Sequence, residues 1–129
     1  MAKILVVEDE PVARMQLQES LEAMGHTVVM ALASADGALE AVASLRPDLI
    51  IMDIHLKSFI DGIDAAARIK LLAEVPLIFM TGYSGQGTVD RAMRLEPAAY
   101  LVKPVSDEAL RESVERALAA KPRRGGTEP

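Results

Sequence analysis

Glu8-Asp9, a lone Asp53, Thr81-Gly82 and Lys103-Pro104 follow one another along this 129-residue chain, each at or just beyond the end of a short apolar run. Brought together, side chains of these types suit one kind of chemistry. Three carboxylates held a few ångströms apart repel one another, and either their pKa values rise or a cation joins them. Mg²⁺, or Mn²⁺ in its place, prefers such oxygen ligands and takes one or two carboxylates together with waters and phosphate oxygens. In that setting Asp53 is the expected nucleophile toward an incoming phosphoryl group. Glu8 and Asp9 hold the metal, Lys103 neutralises the phosphoryl oxygens, and Thr81 hydrogen-bonds the product. Gly82 lets backbone approach closely there. Taken singly, Thr81-Gly82 is an ordinary turn and Lys103-Pro104 an ordinary strand exit; the order and the combination carry the reading.

These residues need elements that deliver them to one place. Five apolar stretches recur, KILVV, TVVMA, DLIIMD, PLIFM and AYLV. Several run apolar without alternation, as strands buried on both faces do. Strands are expected near 3–7, 27–31, 48–53, 76–80 and 98–102. Between them lie segments of helical spacing, with Ala13, Leu17, Leu21 and Met24 on one face, Leu39, Val42 and Leu45 on another, and Leu110, Val114 and Leu118 on a third. Helices are expected near 11–24, 36–45, 62–73, 85–94 and 106–119. Pro11 suits a first helical turn, Gly25 a C-terminal cap, and Ser106 an N-cap followed by the dipole-favoured Asp107 and Glu108. Pro47 and Pro76 precede strands.

The repeated β-α alternation predicts a doubly wound parallel α/β sheet with right-handed crossovers. In the order 2-1-3-4-5, strands one and three lie side by side at the centre, and every candidate site residue falls at the C-terminal edge where such sheets bind ligands. Met15, Met24, Met30, Met52, Met80 and Met93 read as core filler, and His26 as a surface residue without a role. Gly82, Gly85 and Gly87 match neither GxGxxG nor a Walker loop, which argues against nucleotide binding.

Composition bounds the rest. The length allows one domain, read as residues 1–120, with 121–129 as a disordered tail or the start of a linker. Half the residues are apolar but only 3% are aromatic, which suits helices packed on a sheet. A formal charge of −5 speaks against a nucleic-acid or anionic-membrane surface, so protein partners are expected. There is no cysteine, and the N-terminal apolar run is cut short by Glu8-Asp9-Glu10. Both point to a cytoplasmic protein.

The motifs ILVVEDE at 4–10, LIIMDIHL at 49–56, FMTGYS at 79–84 and YLVKP at 100–104 resemble those of the receiver domain of two-component response regulators, over about residues 2 to 119. The resemblance implies a flavodoxin-like five-stranded fold with five helices. It further implies phosphorylation of Asp53 by a histidine kinase or phosphotransfer protein, and Mg²⁺ at Asp9, Asp53 and the backbone carbonyl of His55, with Glu8 contributing through water. A cis Lys103–Pro104 peptide and a Thr81–Tyr100 switch, with Tyr83 as the alternative switch aromatic, are implied as well. Such a domain is a signalling switch more than a turnover enzyme. It assists its own phosphorylation and dephosphorylation and acts on a downstream protein target, as a monomer or weak homodimer.

The chain departs from the family pattern in three places. Lys57 replaces a common proline, Gly62 stands one residue late, and Glu96-Pro97 replaces a common Gly-Ala pair. These departures leave room for a receiver-like adaptor that works without phosphorylation. An aspartyl-phosphate phosphatase of the haloacid dehalogenase kind would want an Asp-x-Asp pair, whereas His55 stands two residues after Asp53. A flavodoxin would want a Ser/Thr-rich phosphate loop after the first strand.

Overall fold

The computed structural model describes residues 1–56, 61–82 and 85–120. Strands β1 (Lys3–Val7), β2 (Thr27–Leu32), β3 (Leu49–Asp53), β4 (Leu77–Thr81) and β5 (Ala99–Val102) alternate with helices α1 (Pro11–Ala23), α2 (Ala38–Leu45), α3 (Gly62–Leu72), α4 (Gln86–Met93) and α5 (Asp107–Ala119). All strand pairs are parallel, in the order β2-β1-β3-β4-β5. The fold is the doubly wound, flavodoxin-like α/β sandwich with five helices that the sequence predicts.

The uninterrupted apolar runs have a simple cause. β3 and β4 are buried along their whole length, and β1 from Ile4 onward, because helices cover both faces of the sheet. Alternate side chains divide between two cores. Leu5, Val7, Ile50, Met52 and Phe79 pack beneath α2 and α3, while Ile4, Val6, Ile51, Ile78 and Met80 pack beneath α1 and α5. The edge strands β2 and β5 are only half-buried.

Element ends follow local chemistry. Pro11 opens α1, Glu10 caps it by accepting from the Ala13 N–H, and Gly25 follows its end with φ 96°. Ser106 caps α5 through the Ala109 N–H. A 3₁₀ turn, Ala35–Gly37, precedes α2, so the helix begins two residues later than expected. Glu96, in place of a glycine, takes a left-handed φ of 53° before Pro97.

Two readings of single residues are corrected. Met52 and Met80 are core residues, but Met15, Met30 and Met93 are exposed: they sit on the outer sides of α1, β2 and α4, where helical or strand spacing alone does not separate stripe from flank. His26 is half-buried, and its Nδ1 accepts a hydrogen bond from the Ala2 N–H over 3.1 Å. Burial, then the nearby N-terminal charge, lowers its pKa from 6.5, against the pull of Glu115. Among the described residues no helix is long and apolar enough to cross a membrane.

Candidate functional site

The register of the central strands builds the site. β1 and β3 pair Val7 with Met52, so the residues that follow, Glu8 just beyond β1 and Asp53 at the last position of β3, come side by side. β4 ends on Thr81, opposite Val102, and Lys103 comes next. Thr81 is thus the last residue of its strand rather than the first beyond it. It is fully buried, and its carbonyl accepts the Lys103 N–H over 2.8 Å. The Lys103–Pro104 peptide is cis.

Lys103 Nζ lies 2.6 Å from Glu8 Oε1 and 3.3 Å from Asp53 Oδ2, bridging two buried carboxylates. Asp53 Oδ1 accepts the His55 N–H over 3.1 Å. Carboxylate oxygens of Glu8, half-buried Asp9 and Asp53 lie within 4.8 Å of one another. Lys103 bridges two of these carboxylates, and the donor set of the three is all oxygen, which fits a hard divalent cation. The titration of the groups reflects this crowding. Burial pushes the Asp53 carboxyl above its ordinary value, helped by the charge of Glu8 and opposed by Lys103 and the His55 N–H. For Lys103, burial pulls downward but is outweighed by the hydrogen bond to Glu8 and the charges of Asp53 and Glu8, so its pKa rises.

The floor of the site is tightly packed. A Cβ on Gly62 would overlap the carbonyl oxygen of Asp53 and crowd Ile54 Cα, and the Gly62 N–H donates to the Ile54 carbonyl over 2.8 Å. The one-residue shift of this glycine therefore still lands it where only glycine fits. Tyr100 sits on β5 opposite Phe79, the rings edge-on with centroids 6.5 Å apart. Its hydroxyl is buried with no hydrogen-bond partner among the described residues, and burial raises its pKa. Tyr83 and Lys57 lie outside the described residues. A groove of about 660 Å³ opens beside Glu8 and Lys103, walled by Gln16 and Leu17 of α1, Pro104, and Leu110 of α5.

Sequence reasoning brings Glu8, Asp9, Asp53, Thr81 and Lys103 to one edge, and the structure gathers them there. It misses the Lys103–Glu8 pair, because 95 residues separate the partners and only the strand order makes them neighbours. It also misses Arg14, which reaches back to the Glu8 carbonyl.

A parallel sheet in this order, with acidic residues and a lysine meeting at its C-terminal edge, defines a doubly wound α/β protein with an acidic pocket. The chain belongs to the response regulator receiver domain family, whose profile matches residues 4–115. It is 36% identical over 117 residues to the transcriptional regulatory protein PdtaR of Mycobacterium tuberculosis, covering 91% of this chain and 57% of PdtaR. It is 34% identical over 117 residues to the phyllosphere-induced regulator PhyR of Methylorubrum extorquens, covering 90% of this chain and 43% of PhyR. The chain thus spans about half the length of these curated relatives. Among solved structures, the signal receiver domain of a modulated diguanylate cyclase from Desulfovibrio desulfuricans G20 superposes with a TM-score of 0.89 at 35% identity, covering 94% of this chain and 96% of that one. As a family, receivers act as signalling switches in two-component systems, and this chain is a receiver by family and fold.

Proposed function

We propose that this receiver accepts a phosphoryl group on Asp53 from a histidine kinase or phosphotransfer protein and passes the signal on by protein contact. The observation that carries the reading is the convergence of Asp53 with Glu8, Asp9 and the bridging Lys103 at the strand ends. An Asp53 carboxylate oxygen attacks phosphorus in line, the bond from phosphorus to the donor nitrogen breaks, and the imidazole leaves. Lys103, already on Asp53 Oδ2, stays with the new phosphoryl oxygens as their charge grows. The His55 N–H holds the other carboxylate oxygen and so orients the nucleophile. Mg²⁺, or Mn²⁺, held by Asp9, Asp53 and the His55 carbonyl with Glu8 beside it, would neutralise charge on the transferring group.

Thr81 and Tyr100 form the switch in this reading. The Thr81 hydroxyl turns to the phosphoryl group, and Tyr100, whose hydroxyl has no partner among the described residues, settles behind it. The surface of α4, β5 and α5 changes for a downstream target. Residues 1–120 act as the functional unit, with 121–129 as a tail or linker, in the cytoplasm where phosphodonor proteins are found. His55 stands two residues after Asp53 in the sequence and Tyr83 two after Thr81, positions from which a bulky side chain would obstruct a hydrolytic water, so shrinking both should speed loss of the phosphoryl group.

The test is incubation with Mg²⁺ and acetyl phosphate followed at once by intact mass, beside Asp53→Ala and metal-free samples. A phosphoryl-sized gain that needs both Asp53 and the metal is the expected result. No gain in a folded protein that receives none from any histidine kinase either would leave the second reading, an adaptor that works without phosphorylation.

A further inference from the structure

The turn between β1 and α1 carries a cation that the phosphoryl-transfer reading leaves without a task. Arg14 is the fourth residue of α1, and its Nη1 donates to the main-chain carbonyl of Glu8 over 2.8 Å in a part-buried setting. Glu8 is thereby held at four points. Its N–H donates to the Leu32 carbonyl over 2.9 Å. Its carbonyl takes Arg14, Oε1 takes Lys103, and Oε2 accepts the Glu10 N–H over 3.1 Å. Glu10 is itself tied down, since its Oε1 caps α1 through the Ala13 N–H over 2.7 Å.

The residue between these two anchors is Asp9. A peptide group is planar, so a residue's backbone has two soft torsions, one against each flanking plane. The carbonyl of Glu8 belongs to the plane before Asp9, and the N–H of Glu10 to the plane after it. Arg14 pins the first and the Glu8 carboxylate pins the second. With both planes fixed, the direction of the Asp9 Cα–Cβ bond is fixed too, and it brings that carboxylate within 4.8 Å of Glu8 and Asp53. Replacing Arg14 removes the side-chain hydrogen bond on the Glu8 carbonyl, so the first plane, and the ligand carboxylate that turns with it, is held less firmly.

We propose that Arg14 is a positioning residue for the cation site, setting the Asp9 carboxylate through the peptide it holds. The inference rests on the reading of Glu8, Asp9 and Asp53 as that site. Two effects of Arg14 on a divalent cation oppose each other: its charge repels the ion, while its hydrogen bond preorganises a ligand. Outer partners of metal ligands commonly change affinity by 10-fold or more, so the hydrogen bond should win. Replacing Arg14 then weakens binding, although a positive charge has been taken away from a cation site.

The experiment is titration with Mn²⁺, followed through the paramagnetic resonance signal of the free ion, on wild type, Asp9→Ala, Arg14→Met and Arg14→Lys, with melting temperatures in EDTA. Arg14→Met is expected to raise the Mn²⁺ Kd about tenfold while Arg14→Lys, which keeps a donor and the charge, recovers most of the loss. An unchanged or tighter Kd in Arg14→Met overturns the proposal. So does a Kd in Arg14→Lys as weak as in Arg14→Met. Should Arg14→Met not fold, Arg14→Leu, which likewise lacks a donor, takes its place with the same two readings. If wild type binds no Mn²⁺, or Asp9→Ala binds as tightly, the reading of the site itself fails; if Asp9 is required and Arg14→Met matches wild type, only the role of Arg14 fails.

Discussion

Two clusters in this molecule have the same composition, one basic side chain between two carboxylates. At the strand ends Lys103 meets Glu8 at 2.6 Å and Asp53 at 3.3 Å, with side chains 27%, 4% and 7% exposed. On the flank, Arg91 of α4 meets Asp61 at 3.2 Å and Asp64 at 3.3 Å, at the start of α3, with side chains 43%, 30% and 53% exposed. Water separates their properties. It solvates and screens the flank charges, so such pairs contribute about 0–1 kcal/mol. At the strand ends Glu8 and Asp53 have left water, a single ammonium bridges the two, and a third carboxylate, Asp9, lies close by. Both clusters carry one formal negative charge in excess, but only the first holds it away from water, where a bound cation can offset it.

The largest effect should come from Lys103→Met. It leaves Glu8 and Asp53 buried without their cation, and we expect a loss of about 2–4 kcal/mol in EDTA together with the loss of phosphoryl acceptance. Mg²⁺ at the proposed site should return part of that stability, since a ligand that binds only the folded state stabilises it. Urea denaturation with and without the metal measures both; equal curves would show that the lysine and the metal do not share one imbalance.

Asp53→Asn should act in the opposite direction, raising metal-free stability by about 1 kcal/mol. Burial, aided by Glu8, holds the Asp53 carboxyl above its ordinary 3.8 in the folded protein. A raised folded pKa means that this group's contribution is fully present below 3.8 and is lost as pH rises through the folded value. The advantage of Asp53→Asn is therefore small near pH 4, grows through the folded pKa and is full at neutral pH. Urea midpoints of both proteins across that range check the sign, and an advantage that shrinks with rising pH would contradict it.

The same contrast explains what the sequence could reveal. The edge that carries Glu8, Asp53, Thr81 and Lys103 was legible because central strands of a doubly wound sheet must read as continuous apolar runs, and the polar residue ending each run then faces the ligand edge; the strand order came with the family resemblance. Burial of a charge was not legible: Asp61-Asp64 with Arg91 and Glu8-Asp53 with Lys103 are equivalent as letters. Nor were the main-chain contacts of Arg14 and Gly62, since each depends on where a carbonyl points after the chain has turned. The exposed Met15 and Met93 were misplaced for a related reason, because residues flanking an apolar helical stripe differ from it by a small rotation only.

The smallest effects belong to the flank, and they test whether it is as ordinary as its exposure implies. Asp61 is also the N-cap of α3, accepting the Asp64 N–H over 2.8 Å. Asp61→Ala should therefore cost about 1 kcal/mol, through the cap rather than the ion pair. Asp61→Asn keeps the cap and loses the charge, and should stay within about 0.5 kcal/mol of wild type. Arg91→Ala should cost about as little. A double-mutant cycle between Arg91→Ala and Asp61→Asn isolates the pair; the coupling should be below about 0.5 kcal/mol and vanish in roughly 1 M salt. A coupling above about 1 kcal/mol that survives the salt would mean that solvent does not screen the flank, and that the two clusters differ in composition of their surroundings rather than in access to water.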